Sequence, residues 1–242
     1  MSTKIAYITD LHLDDQYPKD AGADTFQHWE IILKDLATHG VDKVVLGGDL
    51  GEPSSTAYFF DSLKGYAALL HLTLGNHDQF DNIRPYYAKA QQLQAQGALY
   101  YSFVEEGYKY IFLDSSSGRV PSDQVAWLQQ ELNSPHPILL FVHHPIFAAT
   151  GTLVDAMFPL KEREQLQQLL LESAVEITVF CGHYHILHEY TQGNIKQYIT
   201  PATSVQFDTE SPTLRFHADN FGYRIIEVSP KGVQSTFLSF SL

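Results

Sequence analysis

The chain has 242 residues, 44% of them hydrophobic and 18% charged, which fits a folded globular protein and excludes a disordered or collagen-like one. Fifteen Lys and Arg against 28 Asp and Glu leave a formal charge of −13, a sign that repels nucleic-acid phosphates and anionic membranes. The single cysteine, Cys181, cannot close an internal disulfide, so a secreted disulfide framework is excluded as well.

The opening residues run straight into an apolar strand-like segment, Lys4–Thr9, without a leader-like apolar stretch, and a cytoplasmic location is the expectation. The acidic segment Asp14–Asp24 fits no simple pattern. Asp24–His39 then carries Phe26, Trp29, Leu33 and Leu36 as a helical stripe. Lys43–Gly47 and Ala68–Leu74 read as buried strands, and Asp81–Gln96 as a polar, helix-prone stretch. Ala98–Val104 and Tyr108–Asp114 form a hairpin through Glu105-Glu106-Gly107. Pro121-Ser122 opens a helix that turns Val125, Leu128 and Leu132 to one side.

Pro137–Val142 is another buried strand, and its apolar run Ile138–Val142 is far short of the roughly 18 residues that span a bilayer. Lys161–Glu172 is helix-prone and Glu176–Cys181 is a strand. Leu187–Gln192 pairs with Lys196–Thr200 around Gly193-Asn194. The tail alternates at Ser204–Phe207, Leu214–His217, Gly222–Val228 and Gly232–Leu238. No linker or repeat divides the sequence, so one domain over 1–242 is expected. Its fold class is α/β, with a two-sheet mixed β-sandwich flanked by helices as the simplest packing.

Five of the apolar runs end alike. They lead into Asp10-Leu11-His12, Gly48-Asp49, Gly75-Asn76-His77-Asp78, His143-His144 and Gly182-His183-Tyr184-His185. Ligands bind outside the carboxyl ends of parallel strands, so these side chains are expected to converge on one crevice. Composition alone predicts about one Asp-x-His triplet, but only about 0.015 Gly-Asn-His and 0.04 Gly-His-x-His. The ordered set is therefore not accidental. The last block alternates like a strand, which would put His183 and His185 on one face.

Asp10, His12, Asp49, Asn76, His143, His183 and His185 make seven candidate metal ligands. If Asp49 bridges, the other six divide three and three between two cations. Imidazole and carboxylate without thiolate suit two divalent or trivalent ions, with Mn, Fe or Zn ahead of Mg or Ca. Such a pair would attract phosphate to an acidic protein.

These blocks, in this order, resemble the calcineurin-like metallophosphoesterase superfamily, and within it the bacterial class III 3′,5′-cyclic-nucleotide phosphodiesterases. Softer likenesses to the latter are Leu113–Ser116, Phe141–Pro145 and Pro201–Phe207 followed by Gly222-Tyr223. The resemblance implies helix layers around a β-sandwich, with one metal on Asp10, His12, Asp49 and His185. It implies a second on Asp49, Asn76, His143 and His183, and His77 as the group that contacts phosphoryl oxygens and protonates the leaving oxygen. Asp78 is then placed to orient His77. A hydroxide bridging the two metals would attack phosphorus, and cyclic nucleotides would yield 5′-monophosphates.

The alternatives are a broader phosphoesterase, acting on 2′,3′-cyclic nucleotides, glycerophosphodiesters or monoesters, and an interaction module without turnover. The retained ligands and His77 speak against the module. The expected partner is a small-molecule phosphodiester, with no nucleic acid and no membrane surface; a homodimer is compatible with the sequence. His143 is favoured over His144 as ligand, leaving His144 to orient a neighbour or touch substrate. Asp114-Ser115 is read as a turn near the crevice without a base beside it, and Cys181 as a small buried hydrophobe. Tyr86, Tyr87, Tyr100 and Tyr101 are read as core or rim, and the other six histidines as surface or core residues.

Overall fold

A computed structural model describes residues 2–93 and 97–242. In chain order the elements are β1 (Thr3–Ile8), α1 (Gln16–Asp20), α2 (Thr25–His39), β2 (Lys43–Leu46), α3 (Thr56–Ser62), β3 (Leu70–Leu72), α4 (Phe80–Ile83) and α5 (Ala88–Gln92). There follow β4 (Tyr101–Glu105), β5 (Tyr108–Phe112), α6 (Ser122–Glu131), β6 (Ile138–Phe141), α7 (Leu153–Met157), α8 (Arg163–Leu171) and β7 (Ile177–Cys181). The chain closes with β8 (His188–Gln192), β9 (Ile195–Ile199), β10 (Gln206–Phe207), β11 (Phe216–His217), β12 (Phe221–Ser229) and β13 (Gly232–Phe240).

Two sheets face each other, one ordered β13-β12-β1-β2-β3 and the other β4-β5-β6-β7-β9-β8, with β10 and β11 as a small separate ribbon. Strands β1, β2 and β3 run parallel, as do β5, β6, β7 and β9. Period-two alternation sorts the second sheet. Phe112, Phe141, Phe180 and Tyr198 stack in a row toward the first sheet, where Tyr7 meets Phe141 at 5.8 Å between ring centres. Ile111, Leu140 and Val179 point the other way and share a core with Leu128 of α6 and Leu166 and Leu170 of α8. Trp29, Ile32 and Leu36 of α2 join the core of the first sheet. The result is a helix-flanked mixed sandwich, as expected from the sequence.

Local signals explain most boundaries. Asp24 caps α2 by accepting from the Gln27 N–H at 3.0 Å, and Gly40 ends the helix in the left-handed region. Both hairpins turn at the glycines that the sequence marks, with Glu105 opposite Tyr108 and Gln192 opposite Ile195. Three expectations change. The buried face of α2 is Thr25, His28, Trp29, Ile32 and Leu36, with Phe26 and Leu33 only half-buried beside it. His28 turns inward because its Nδ1 meets the Thr203 carbonyl at 3.0 Å and its ring stacks on Phe221 at 3.8 Å. The stretch Asp81–Gln96 is broken into α4 and α5 with Pro85 between them, since proline cannot donate to a continuing helix; Gln94–Gln96 lie outside the described residues. In Ala68–Leu74 only Leu70–Leu72 is strand, preceded by a 3₁₀ turn over Lys64–Leu69.

Candidate metal centre

Parallel strands present their carboxyl ends on one side, and the five blocks all leave from those ends. Asp10 and His12 follow β1, Asp49 follows β2, Asn76-His77-Asp78 follow β3, His143-His144 follow β6, and His183 and His185 follow β7. The backbone there is unusual. Asp10, His12, Asp49, His183 and His185 all have φ between +46° and +67°, the left-handed region that non-glycine residues seldom occupy. The Gly182–His185 block is thus a turn, not the strand expected from its alternation. Each strained residue at the first sheet is tied down: the Asp10 N–H donates to Gly48 at 3.0 Å and the His12 N–H to Asp49 at 3.1 Å. Glycine is required where loops cross, since a Cβ at Gly75 would strike the Asp49 carboxylate and one at Gly182 the Asp10 carboxylate.

Two carboxylates stand at the centre. Asp10 Oδ1 lies 3.2 Å from His185 Nε2 and 3.9 Å from both His12 Nε2 and His143 Nε2. Asp49 Oδ2 lies 3.2 Å from His143 Nε2 and 3.6 Å from His12 Nε2. Three groups hold candidate donor atoms within 4.8 Å of one another: Asp10 with His12 and His185, Asp49 with His143 and His183, and His12 with Asp49 and His77. Asp10, His12, Asp49, His143 and His185 are buried, His183 is half-buried, and Asn76 and His77 are exposed at the rim.

The donor set fits a cation. His12 Nε2 and His143 Nε2 are buried with no hydrogen-bond partner, a costly arrangement unless something inside the cluster takes their lone pairs. The opposite ring nitrogens are engaged. His12 Nδ1 meets Asp15 at 2.8 Å, His143 Nδ1 the Gly47 carbonyl at 2.9 Å, and His185 Nδ1 the Val205 carbonyl at 2.7 Å. A ring nitrogen facing a carbonyl must carry the proton, so Nε2 of His143 and His185 is the nitrogen aimed at the carboxylates. His183 is reversed: its Nε2 donates to the Phe158 carbonyl at 3.0 Å, which presents Nδ1.

The charges are balanced internally. Burial alone would lower the His143 pKa, but Asp49 and Asp10 outweigh it and raise it to about 10. Burial likewise opposes ionisation of Asp10 and Asp49, yet the facing His185 and His143 keep both carboxyls below the usual carboxylate range. Burial, then the charge of His143, pushes His183 down to about 3. An imidazolium thus occupies the electrostatic role that a cation would take, and a binding cation must displace that proton.

Asp78 does not point its bonding at His77. Its carboxylate accepts from the N–H groups of Asp49 at 2.7 Å, Leu50 at 2.9 Å and Gly75 at 2.9 Å. Burial, and then the charge of Asp49, lifts its pKa to about 7. Through these bonds Asp78 holds two loops together. The His77 ring stands edge-on to His12, 5.0 Å away, while its N–H donates to Asp49 Oδ1 at 2.8 Å. His144 stays out of the three donor groups. Its Nδ1 meets Ser115 Oγ at 2.9 Å and its ring packs 4.1 Å from that of His183. Ser115 therefore does have a histidine beside it, from a different strand end.

Several contributors were not legible in the sequence. Asp15 sits three residues after His12, but only the turn decides that it, not Asp14, faces the ring. Tyr17, Phe158, Phe207, Leu214 and Phe216 line a cavity of about 230 Å³ over the donor atoms, together with Asn76 and His77. A second cavity of about 480 Å³ adjoins it across His185 and Phe207. Among the described residues no helix is long and apolar enough to cross a membrane.

A family model described as calcineurin-like phosphoesterase matches residues 3–187. A "probable cyclic nucleotide phosphodiesterase" of Fibrobacter succinogenes is 28% identical, with 93% of this chain and 89% of that protein covered. One so named from a Synechococcus strain is 30% identical over 96% of this chain and 90% of its own. A "3′,5′-cyclic-nucleotide phosphodiesterase" of a Nostoc strain is 24% identical, covering 96% and 90%. Among solved structures, a dimetal phosphatase from Danio rerio superposes with a TM-score of 0.68 at 14% identity, covering 99% of both chains.

Proposed function

The chain belongs to the calcineurin-like phosphoesterase family and is a metal-dependent phosphoesterase, and from that premise we propose that it hydrolyses 3′,5′-cyclic nucleotides to 5′-monophosphates at a two-cation centre. The observation that carries the two-cation reading is that Asp49 Oδ2 lies near both His12, which groups with Asp10 and His185, and His143, which groups with Asp49 and His183. Asp10, His12, Asp49 and His185 would hold one ion. Asp49, Asn76, His143 and His183 would hold the other, and mixed nitrogen and oxygen donors favour Mn, Fe or Zn.

When bound, such ions supply positive charge against the phosphoryl oxygens and lower the pKa of water. The chain's own residues do the rest. Asp15, Gly47 and Val205 lock the tautomers of His12, His143 and His185. Asp78 fixes the main chain that carries Asp49 and His77. His77, exposed at the rim beside His12, would give a proton to the departing alkoxide, a role that its exposure and its nearness to the donors support.

The substrate reading draws on the names of relatives that match this chain over almost its whole length. A shorter match to a "probable glycerophosphodiester phosphodiesterase" of Arcobacter nitrofigilis, 25% identical over 60% of this chain, makes the broader phosphodiesterase the second reading. Initial rates on cyclic AMP, 2′,3′-cyclic AMP, glycerophosphoethanolamine and a phosphomonoester, with metal content measured on the same sample, separate the two. Release of 5′-AMP from cyclic AMP as the fastest reaction supports the proposal. Faster turnover of the glycerol diester or the monoester overturns it.

A further inference from the structure

We propose that Tyr17, Phe207 and Phe216 form an aromatic wall that binds the planar ring of a phosphate-bearing ligand and thereby sets substrate preference at the metal centre. The proposal builds on the phosphodiesterase reading above. It starts from two elements that the metal motifs do not explain: α1, placed between His12 and α2, and the ribbon β10–β11.

Three rings from these two elements are continuous. Tyr17 lies 5.0 Å from Phe216 between ring centres, and Phe216 lies 4.5 Å from Phe207. Phe207 and Phe216 are direct cross-strand partners in the ribbon. The row is anchored to the donor cluster at both ends, with Tyr17 at 4.9 Å from His12 and Phe207 at 5.3 Å from His185. All three line the cavity above the donors and all are half-buried, Phe207 with one side against the second core.

The chemistry of the cavity narrows what this wall can take. Among the described residues lining it there is no Lys or Arg. Attraction for phosphate is therefore left to the cation centre, and the wall itself offers π-faces and apolar edges. A nucleobase stacks on such a surface, whereas a glycerol group has no π-face to lay against these rings. The ring contacts to His12 and His185 place a stacked base beside the donors, with its phosphate toward Asp49, Asn76 and His77.

The test compares a nucleotide with its base-free counterpart on the intact chain reconstituted with Mn²⁺. Equilibrium dialysis of 5′-AMP and ribose 5-phosphate should show about tenfold tighter binding of 5′-AMP. Phe216→Ala should bring the two affinities to near equality while leaving that for ribose 5-phosphate unchanged. Should that variant fail to fold by circular dichroism, Tyr17→Leu makes the same comparison from the other element. Equal affinities in the parent chain, no binding of either ligand, or a ratio untouched by the variants overturns the wall. If instead the ratio behaves as expected but no diester is hydrolysed, the wall stands and the phosphodiesterase reading fails.

Discussion

Asp78 and Asp49 clasp each other's loops: the Asp78 carboxylate accepts the Asp49 N–H at 2.7 Å, while the Asp49 carboxylate accepts the N–H of His77, next to Asp78, at 2.8 Å. Removing Asp78 strips acceptors from three N–H groups at once. Asp78→Ala should cost about 2–4 kcal/mol, because unmet backbone donors lose their full hydration. In a chain of this size that lowers Tm by roughly 5–10 °C. Asp78→Asn, which keeps one acceptor oxygen, should cost less. Calorimetry on both variants checks the order, and equal melting of Asp78→Ala and the parent would refute the clasp.

Chelation should abolish turnover of bis-(p-nitrophenyl) phosphate, and added Mn²⁺ should restore it while raising Tm. A ligand at a hundred times its Kd stabilises by about 2.7 kcal/mol. Asp49→Ala or Asn76→Ala should lose turnover with an unchanged circular dichroism spectrum. Full activity in either variant removes the two-cation reading.

His77 is exposed beside His12 and Asp49; it is the proposed proton donor and not a ligand, so its loss should spare metal binding and strike the rate. We expect His77→Ala to keep its metal content, measured by elemental analysis, and to turn over some 10²–10⁴-fold more slowly. Loss of metal in step with rate would make His77 a ligand instead.

His71 gives a pH signature remote from the donors. Burial, then the charges of Lys43 and Lys89, depress its pKa to about 4, and its ring stacks on Phe103 at 4.8 Å. Between pH 6.5 and about 4 the unfolded chain binds a proton that the folded chain refuses, so stability is complete above that window and falls as pH drops through it. At pH 5 the loss from this one ring should be about 1–2 kcal/mol. Urea unfolding at pH 7 and pH 5 should show a smaller difference for His71→Phe than for the parent. Identical differences would show that His71 titrates normally.

Much of the architecture was readable because its parallel strands are buried on both faces and so appear as short apolar runs, each stopped by a polar block. The convergence of Asp10, Asp49, His143 and His185 followed from those stops alone. The phase of α2 was not readable, because His28 is carried inward by one carbonyl and one stacked ring that come from the far end of the chain. The same limit hid Ser115 beside His144 and Tyr17 beside Phe216. Such pairings depend on how the two halves of the sandwich meet, which no local period encodes. The loop-holding bonds of Asp78 were hidden for a related reason: its neighbour in sequence is a ring, but its partners in space are amides.

Five of the proposed ligands sit where the backbone prefers a residue without a side chain. At these positions comfort and chemistry are mutually exclusive, since glycine would relax the chain and erase a donor atom in the same stroke. Selection for heat tolerance should therefore leave Asp10, His12, Asp49, His183 and His185 untouched and gather its gains on the helices and hairpins instead.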